Sequence, residues 1–262
     1  MRVYWLLCMF LLGFYTTRGQ GDSLFQIGAY ELAAVSYELA YFTSGNEGAL
    51  IQKSECYKQL GEYDQALRAV ERVNGRETNY EQALLLYLSV DYERSYNKLL
   101  QLSLQSASLD QETAVLMALV LIAKQDFQEV KKYLVTHQGL IGLDQKEIDL
   151  MFSKKLKYKK PNKAYNLSLW MPGIGQMYAG HFGKGLVSGG LVAGATGFTL
   201  YSLLNRYYFS GVLTGAALFY TFYLGGARYA GQLAEQKNEK NAKALKHAFS
   251  EGIKKAELKV QP

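Results

Sequence analysis

Two apolar runs dominate the hydropathy pattern. Residues 185–204 and 207–227 hold no Asp, Glu, Lys or Arg, and only Asn205 and Arg206 lie between them. Each has about 20 residues, the helical length that crosses a hydrocarbon core of ~30 Å. So short a turn joins helices that run antiparallel. The pattern predicts a transmembrane helical hairpin with arms at 183–204 and 207–229 and its tip near Arg206. Lys184 and Arg228 flank the base, where long cationic side chains reach the headgroups while their stems stay in the apolar layer. A pair of buried helices in a soluble protein is the rival reading, but such helices seldom run this far without a charge.

Glycines punctuate both runs. Gly185 and Gly189, then Gly190 and Gly194, form G-x-x-x-G pairs, Gly197 follows, and Gly211 and Gly215 repeat the spacing in the second run. Lipid supplies little hydrophobic force between helices, so small residues that let backbones approach carry the packing. These glycines are expected at helix–helix contacts, within one chain or between chains. Ahead of the hairpin, Trp170 and Tyr178 suit the headgroup level. Pro172, Gly173, Gly175 and Gly180 would interrupt a straight helix. An interfacial or re-entrant lead-in segment is expected there.

A different pattern fills the N-terminal half. Gly28, Tyr30, Ala33, Tyr37 and Ala40 recur 33 residues later as Gly61, Tyr63, Ala66, Val70 and Val73. A looser copy centres on Tyr92, Ser95 and Leu99, and another on Phe127, Val130 and Leu134. Helical-repeat arrays have periods in this range. A single helix pair cannot bury its own face, so units stack and leave a groove. Asp64 or Glu62 can cap the helix that follows the second turn. The many tyrosines here, at helical spacing, read first as core. An ordinary helical bundle is the rival arrangement.

Charge separates the halves. Residues 22–150 hold 11 Lys/Arg against 19 Asp/Glu, a net of −8, and residues 151–262 hold 16 against 4, a net of +12. The whole-chain charge of +6 therefore describes neither half. Lys154 to Lys163, with Pro161, form a basic linker (151–164) of a kind that attracts anionic headgroups. Nucleic-acid binding is disfavoured for a chain expected to be exported. Residues 232–262 form a basic helical tail with Ala242, Leu245, Phe249 and Ile253 on one stripe; the membrane surface, the repeats or solvent could each receive it. Residues 1–19 read as a secretory leader: Arg2, an apolar stretch too short to favour a span, then Thr17-Arg18-Gly19. Cys8 lies in that leader, which leaves Cys56 alone and no intramolecular disulfide.

Two resemblances follow from these residues. The string Pro172-Gly173-x-Gly175-Gln176-x-Tyr178-x-Gly180, with Gly185 five residues on, resembles the lead-in of small bacterial two-helix membrane domains. These include a domain common in Bacteroidota exported proteins and, more distantly, the TM2 family, whose acidic turn residue has no counterpart here. That resemblance implies membrane residence and carries over no reaction. Residues 22–138, through Ser54, Tyr57, Gly61, Tyr63, Ala66 and Val70, resemble a degenerate tetratricopeptide-repeat solenoid that lacks the closing proline. The expected fold is all-α: a helical solenoid over 22–150, then a hairpin domain over 165–231.

Two spans place both hairpin flanks on one side of the membrane. A cleaved leader puts that side outside the cytoplasm, whereas lysine-rich flanks favour the cytoplasm. An uncleaved first span, a crossing at Trp170, or a membrane outside the rule would each reconcile the two. The exported repeat module is the arrangement expected.

Chemistry is sparse. His137, His181 and His247 are far apart, and no nucleophile elbow, zincin or phosphate-loop string occurs. Neither run holds the acidic residue or histidine that an ion pathway needs. No catalytic residue, metal site or cofactor is expected. Two functions remain: a membrane-anchored scaffold whose repeats hold a partner protein, in envelope assembly or secretion, on a bilayer with anionic headgroups; or an oligomeric, glycine-packed pore or permeability factor.

Overall fold

The computed structural model describes residues 19–105, 109–152 and 156–260. The leader expected at 1–19 falls, but for Gly19, outside them, as do Lys154 and Lys155. The described chain is all-helical, with no strand among the described residues, and divides into two compact units at Lys124 and Gln125. That boundary comes earlier than the charge switch near residue 150.

The first unit begins with α1 (residues 19–26) and continues through α2 (Tyr30–Ser44), α3 (Glu47–Gln59), α4 (Tyr63–Val70), α5 (Arg76–Leu88), α6 (Tyr92–Gln105) and α7 (Gln111–Ala123). From α2 onward each helix packs on the next in sequence. One turn recurs between them. Gly28 and Gly61 take left-handed φ values of 79° and 74°, and Val90 takes 69° at the corresponding place. In all three, the next residue's N–H reaches five residues back: Ala29 to Leu24, Glu62 to Tyr57, and Asp91 to Leu86, each 2.9 Å. This bond satisfies a carbonyl that the helix end would otherwise orphan, and the left-handed residue makes it geometrically possible. An aromatic residue then opens the next helix: Tyr30, Tyr63, Tyr92.

The repeat is also visible in burial. Three residues after that aromatic come Ala33, Ala66 and Ser95, all fully buried. Seven after it come Tyr37, Val70 and Leu99, exposed by no more than 1%. Small side chains at the first position let neighbouring helices approach, and larger ones at the second fill the space between turns. Ser95 keeps its hydroxyl inside by donating to the Ala83 carbonyl at 2.7 Å, and Gln82 donates to the Val70 carbonyl at 3.0 Å. Ion pairs link successive segments on the surface: Glu38 takes Lys53 at 2.6 Å and Arg72 at 2.8 Å, and Arg76 meets Asp110 at 3.1 Å. Glu62 sits at the N-cap of α4 but makes no side-chain cap hydrogen bond; its carboxylate accepts from Gln65 instead.

The second unit opens with another left-handed residue two places ahead of an aromatic. Gln125 is left-handed at 64°, Asp126 caps α8 (Phe127–Thr136) through the Glu129 N–H, and Val130 and Leu134 are fully buried. Then come α9 (Gln138–Ile141), α10 (Gln145–Met151), α11 (Pro161–Trp170), α12 (Ile174–Tyr178), α13 (Phe182–Leu204), α14 (Tyr208–Ser210), a π-helical turn (Gly211–Gly215) and α15 (Ala216–Val260). Helix α13, of 23 residues, is long and apolar enough to cross a membrane. The second apolar run does not form one regular helix. It is shared among α14, the π turn and the first turns of α15, and α15 then continues unbroken into the basic tail.

That tail is packed rather than frayed. Leu245 and Phe249 are 1% exposed. Gly252 lies so close to Met151 and Leu143 that a Cβ there would meet them at 2.7 and 2.9 Å. This docking joins α10 and the residues just before it to the end of α15, and α10 packs in turn on α8, so residues 125–152 group with the C-terminal half.

Candidate functional site

The lead-in motif is a tight junction of four helices. Pro161 occupies the first turn of α11, where its missing N–H costs nothing. The helix stops at Trp170; Met171 is extended, and Gly173 turns the chain into α12 with a φ of 96°. The glycines here are contacts. A Cβ on Gly173 would strike the Gly185 carbonyl oxygen, and one on Gly185 would lie 2.5 Å from the Gly173 oxygen. A Cβ on Gly175 would strike the Ala164 carbonyl oxygen. A Cβ on Gly189 would sit 3.1 Å from the Pro172 oxygen. Gly180 closes α12 at a φ of 92°, and the following His181 N–H bonds the Gln176 carbonyl at 2.9 Å.

Gln176 sits at the centre, fully buried. Its Oε1 accepts from Ser168 of α11 at 2.9 Å, and its Nε2 donates to Ser188 of α13 at 3.1 Å and to the Gly226 carbonyl of α15 at 2.8 Å. The Ser168 hydroxyl also accepts the Gly175 N–H at 3.1 Å. One side-chain amide therefore ties all four helices. In a low-dielectric site such a network is strong when every member is satisfied and costly when one is lost. The Tyr223 hydroxyl adds a bond to the Leu169 carbonyl, near the end of α11.

From this junction α13 and the second arm run antiparallel. Gly226 faces Ser188, Gly215 faces Thr199, and Gly211 faces Ser202, so partners move apart symmetrically from the tip. At the base the Lys184 ammonium donates to the Tyr229 hydroxyl at 2.8 Å and lies 5.2 Å from the ring centre. Arg206 turns the tip at a φ of 64°. Gly185, Gly189, Gly211 and Gly215 are thus brought to contacts within this chain. Gly190, Gly194 and Gly197 are not: a Cβ at any of them would meet nothing within 4 Å.

The outside of the hairpin is apolar. Leu186, Val187, Leu200, Tyr201 and Leu204 of α13, and Phe209, Val212 and Leu213 of the second arm, are all more than half exposed. Most of α13 is not buried inside the molecule. Trp170, at the end of α11, is 82% exposed.

The basic linker is fastened to this assembly. Tyr178 packs with the ammonium groups of Lys159 and Lys163 at 4.6 and 5.5 Å from its ring centre. Asn238 of α15, 1% exposed, accepts the Lys159 N–H and donates to the Lys159 carbonyl, both at 2.8 Å.

Of the histidines, His181 lies at the N-cap of α13, His137 packs on Tyr133 with ring centres 4.2 Å apart, and His247 is exposed on α15. No group of His, Cys, Asp and Glu side chains suited to a metal occurs among the described residues. Ser168, Ser188, Gly226, Tyr223 and Asn238 were not singled out by sequence. Small or polar residues inside apolar helices were the only signal, and for Asn238, in a polar tail, there was none.

No family model, curated protein or solved structure matches the chain.

Proposed function

We propose that the protein is a membrane-anchored scaffold: an acidic array of helical repeats that holds a partner protein, joined to a hairpin that holds the chain in a bilayer. The exposed apolar surface of the hairpin carries this reading. Soluble proteins rarely leave so large a contiguous patch in water, whereas lipid covers it at no cost. The second arm supports a span despite its π turn, because Ser210 and Ala216 on either side keep helical φ and ψ. The recurring left-handed turn and the buried small residue after each aromatic support a tetratricopeptide-type solenoid. An exposed apolar stripe on α2, Leu32, Val35, Leu39 and Phe42, gives a partner a surface to cover.

Two experiments test the two halves of this reading. Full-length protein mixed with liposomes should float with them and resist alkaline extraction; protein that stays in the aqueous fraction overturns the anchor. Crosslinking in membranes followed by purification should recover a protein that depends on the α2 stripe; the same recovery from a Leu32→Ser/Leu39→Ser variant overturns the repeat-borne partner.

A glycine-packed oligomer is the second reading, favoured by one observation. Gly190, Gly194 and Gly197 leave a side of α13 on which another helix could approach closely. It requires oligomers that survive mild detergent and conduct ions in planar bilayers; a monomer without conductance removes it.

A further inference from the structure

We propose that the groove between α13 and α15 at the basic base of the hairpin binds an anionic phospholipid, one acyl chain lying in the groove and the phosphate meeting Lys184. The proposal rests on the membrane reading above and adds a ligand class to it. The groove has a volume of about 470 Å³, within the range of ligand sites. Val187 and Leu191 form one wall and Phe222 the other. Gly225 leaves it open, since a Cβ at that residue would meet nothing within 4 Å.

One end of this apolar trough carries a cation. Lys184 lines the groove, is exposed, and bonds the neutral hydroxyl of Tyr229. Among the described residues no salt bridge joins it to a carboxylate. A cation with only neutral partners is complementary to an anion. The occupant must therefore be apolar along most of its length and anionic at one end, which is the polarity of an acidic phospholipid. A soluble anion would leave the trough unmatched. A second copy of the chain would bring its own basic base against this one.

The test uses full-length protein in a mild non-ionic detergent, titrated with phosphatidylglycerol or with phosphatidylcholine of the same chains, bound lipid being counted by native mass spectrometry. Phosphatidylglycerol should be retained about fivefold better, the increment a basic residue gives near a membrane surface. Lys184→Gln should abolish that preference and leave flotation with phosphatidylcholine liposomes unchanged, because the exposed apolar side chains of the two arms, and not this one cation, carry insertion. Lys237→Gln, an exposed lysine elsewhere on α15, should keep it. Gly225→Leu should lower retention of both lipids by filling the groove. Equal retention of the two lipids by the unaltered chain, or an unchanged preference in Lys184→Gln, overturns the site. Failure of the unaltered chain to float overturns the membrane reading and the site together, whereas flotation without lipid preference overturns the site alone.

Discussion

The side-chain amide of Asn238 and the backbone of Lys159 exchange two hydrogen bonds of 2.8 Å across 79 residues of sequence. This pairing imitates one rung of a β-ladder and fixes the basic segment against α15. It also turns a stretch that reads as a loose linker into part of the folded unit.

Removing the amide should release that segment. Asn238→Leu leaves the Lys159 N–H and carbonyl without their partner, a loss of about 1–3 kcal/mol. Thermal unfolding of the detergent-solubilised protein should start lower, and trypsin should cut at Lys157–Lys163 several times faster than in the unaltered chain. Unchanged cleavage would mean that Tyr178 alone holds the segment.

The glycines divide into two groups that a single substitution separates. Gly175→Ala places a methyl group against the Ala164 carbonyl, an overpacking that costs about 3 kcal/mol. Gly194→Ala meets nothing within 4 Å and should stabilise α13 by up to about 1 kcal/mol through helix propensity. Unfolding midpoints of the two variants, measured side by side in one detergent, check the contrast.

Val90 holds a left-handed conformation that its relatives in the repeat fill with glycine. The residue is 65% exposed and its φ is 69°, so the branched Cβ adds strain without adding much core. Val90→Gly should raise the stability of the first unit by about 1 kcal/mol, read as a higher denaturant midpoint. Gly61→Ala should lower it by a similar amount.

Stability of the first unit should fall in acid through Glu38. Burial opposes its ionisation, but hydrogen bonds from Lys53 and Arg72, with their charges, outweigh it and hold the carboxyl below its ordinary 4.5. A depressed carboxylate contributes stability that is complete above the unfolded-state value and is lost as pH falls through the folded one. Denaturant midpoints should therefore drop as pH falls below about 4.5, and the drop should be shallower in Glu38→Gln.

Cys56 reports on the same unit. It is fully buried, and burial pushes its thiol up to about 11. Maleimide should leave it unmodified in the folded protein at neutral pH and label it fully in denaturant. Fast labelling of the native chain would show that α3 opens readily.

The sequence alone determined what depends on local pattern. Charge-free runs of membrane length, a two-residue break between them and a 33-residue echo of glycine, tyrosine and alanine are properties of neighbouring residues, and periodicity reports them. Gly28 and Gly61 were legible because a left-handed turn favours the residue without a Cβ. Val90 and Gln125 were not, since the structure imposes a left-handed conformation on residues that do not advertise it.

Tertiary structure decided everything that joins distant segments. Gln176 looked like one letter of a motif; its partners Ser168, Ser188 and Gly226 lie on three other helices, the last 50 residues away. Gly189 and Gly190 are neighbours and identical, yet a Cβ on the first would meet the Pro172 carbonyl and one on the second would meet nothing. A helix turns by about 100° per residue, so adjacent positions face different surroundings. Composition cannot tell which of them touches another backbone; only the placement of the neighbouring helix can.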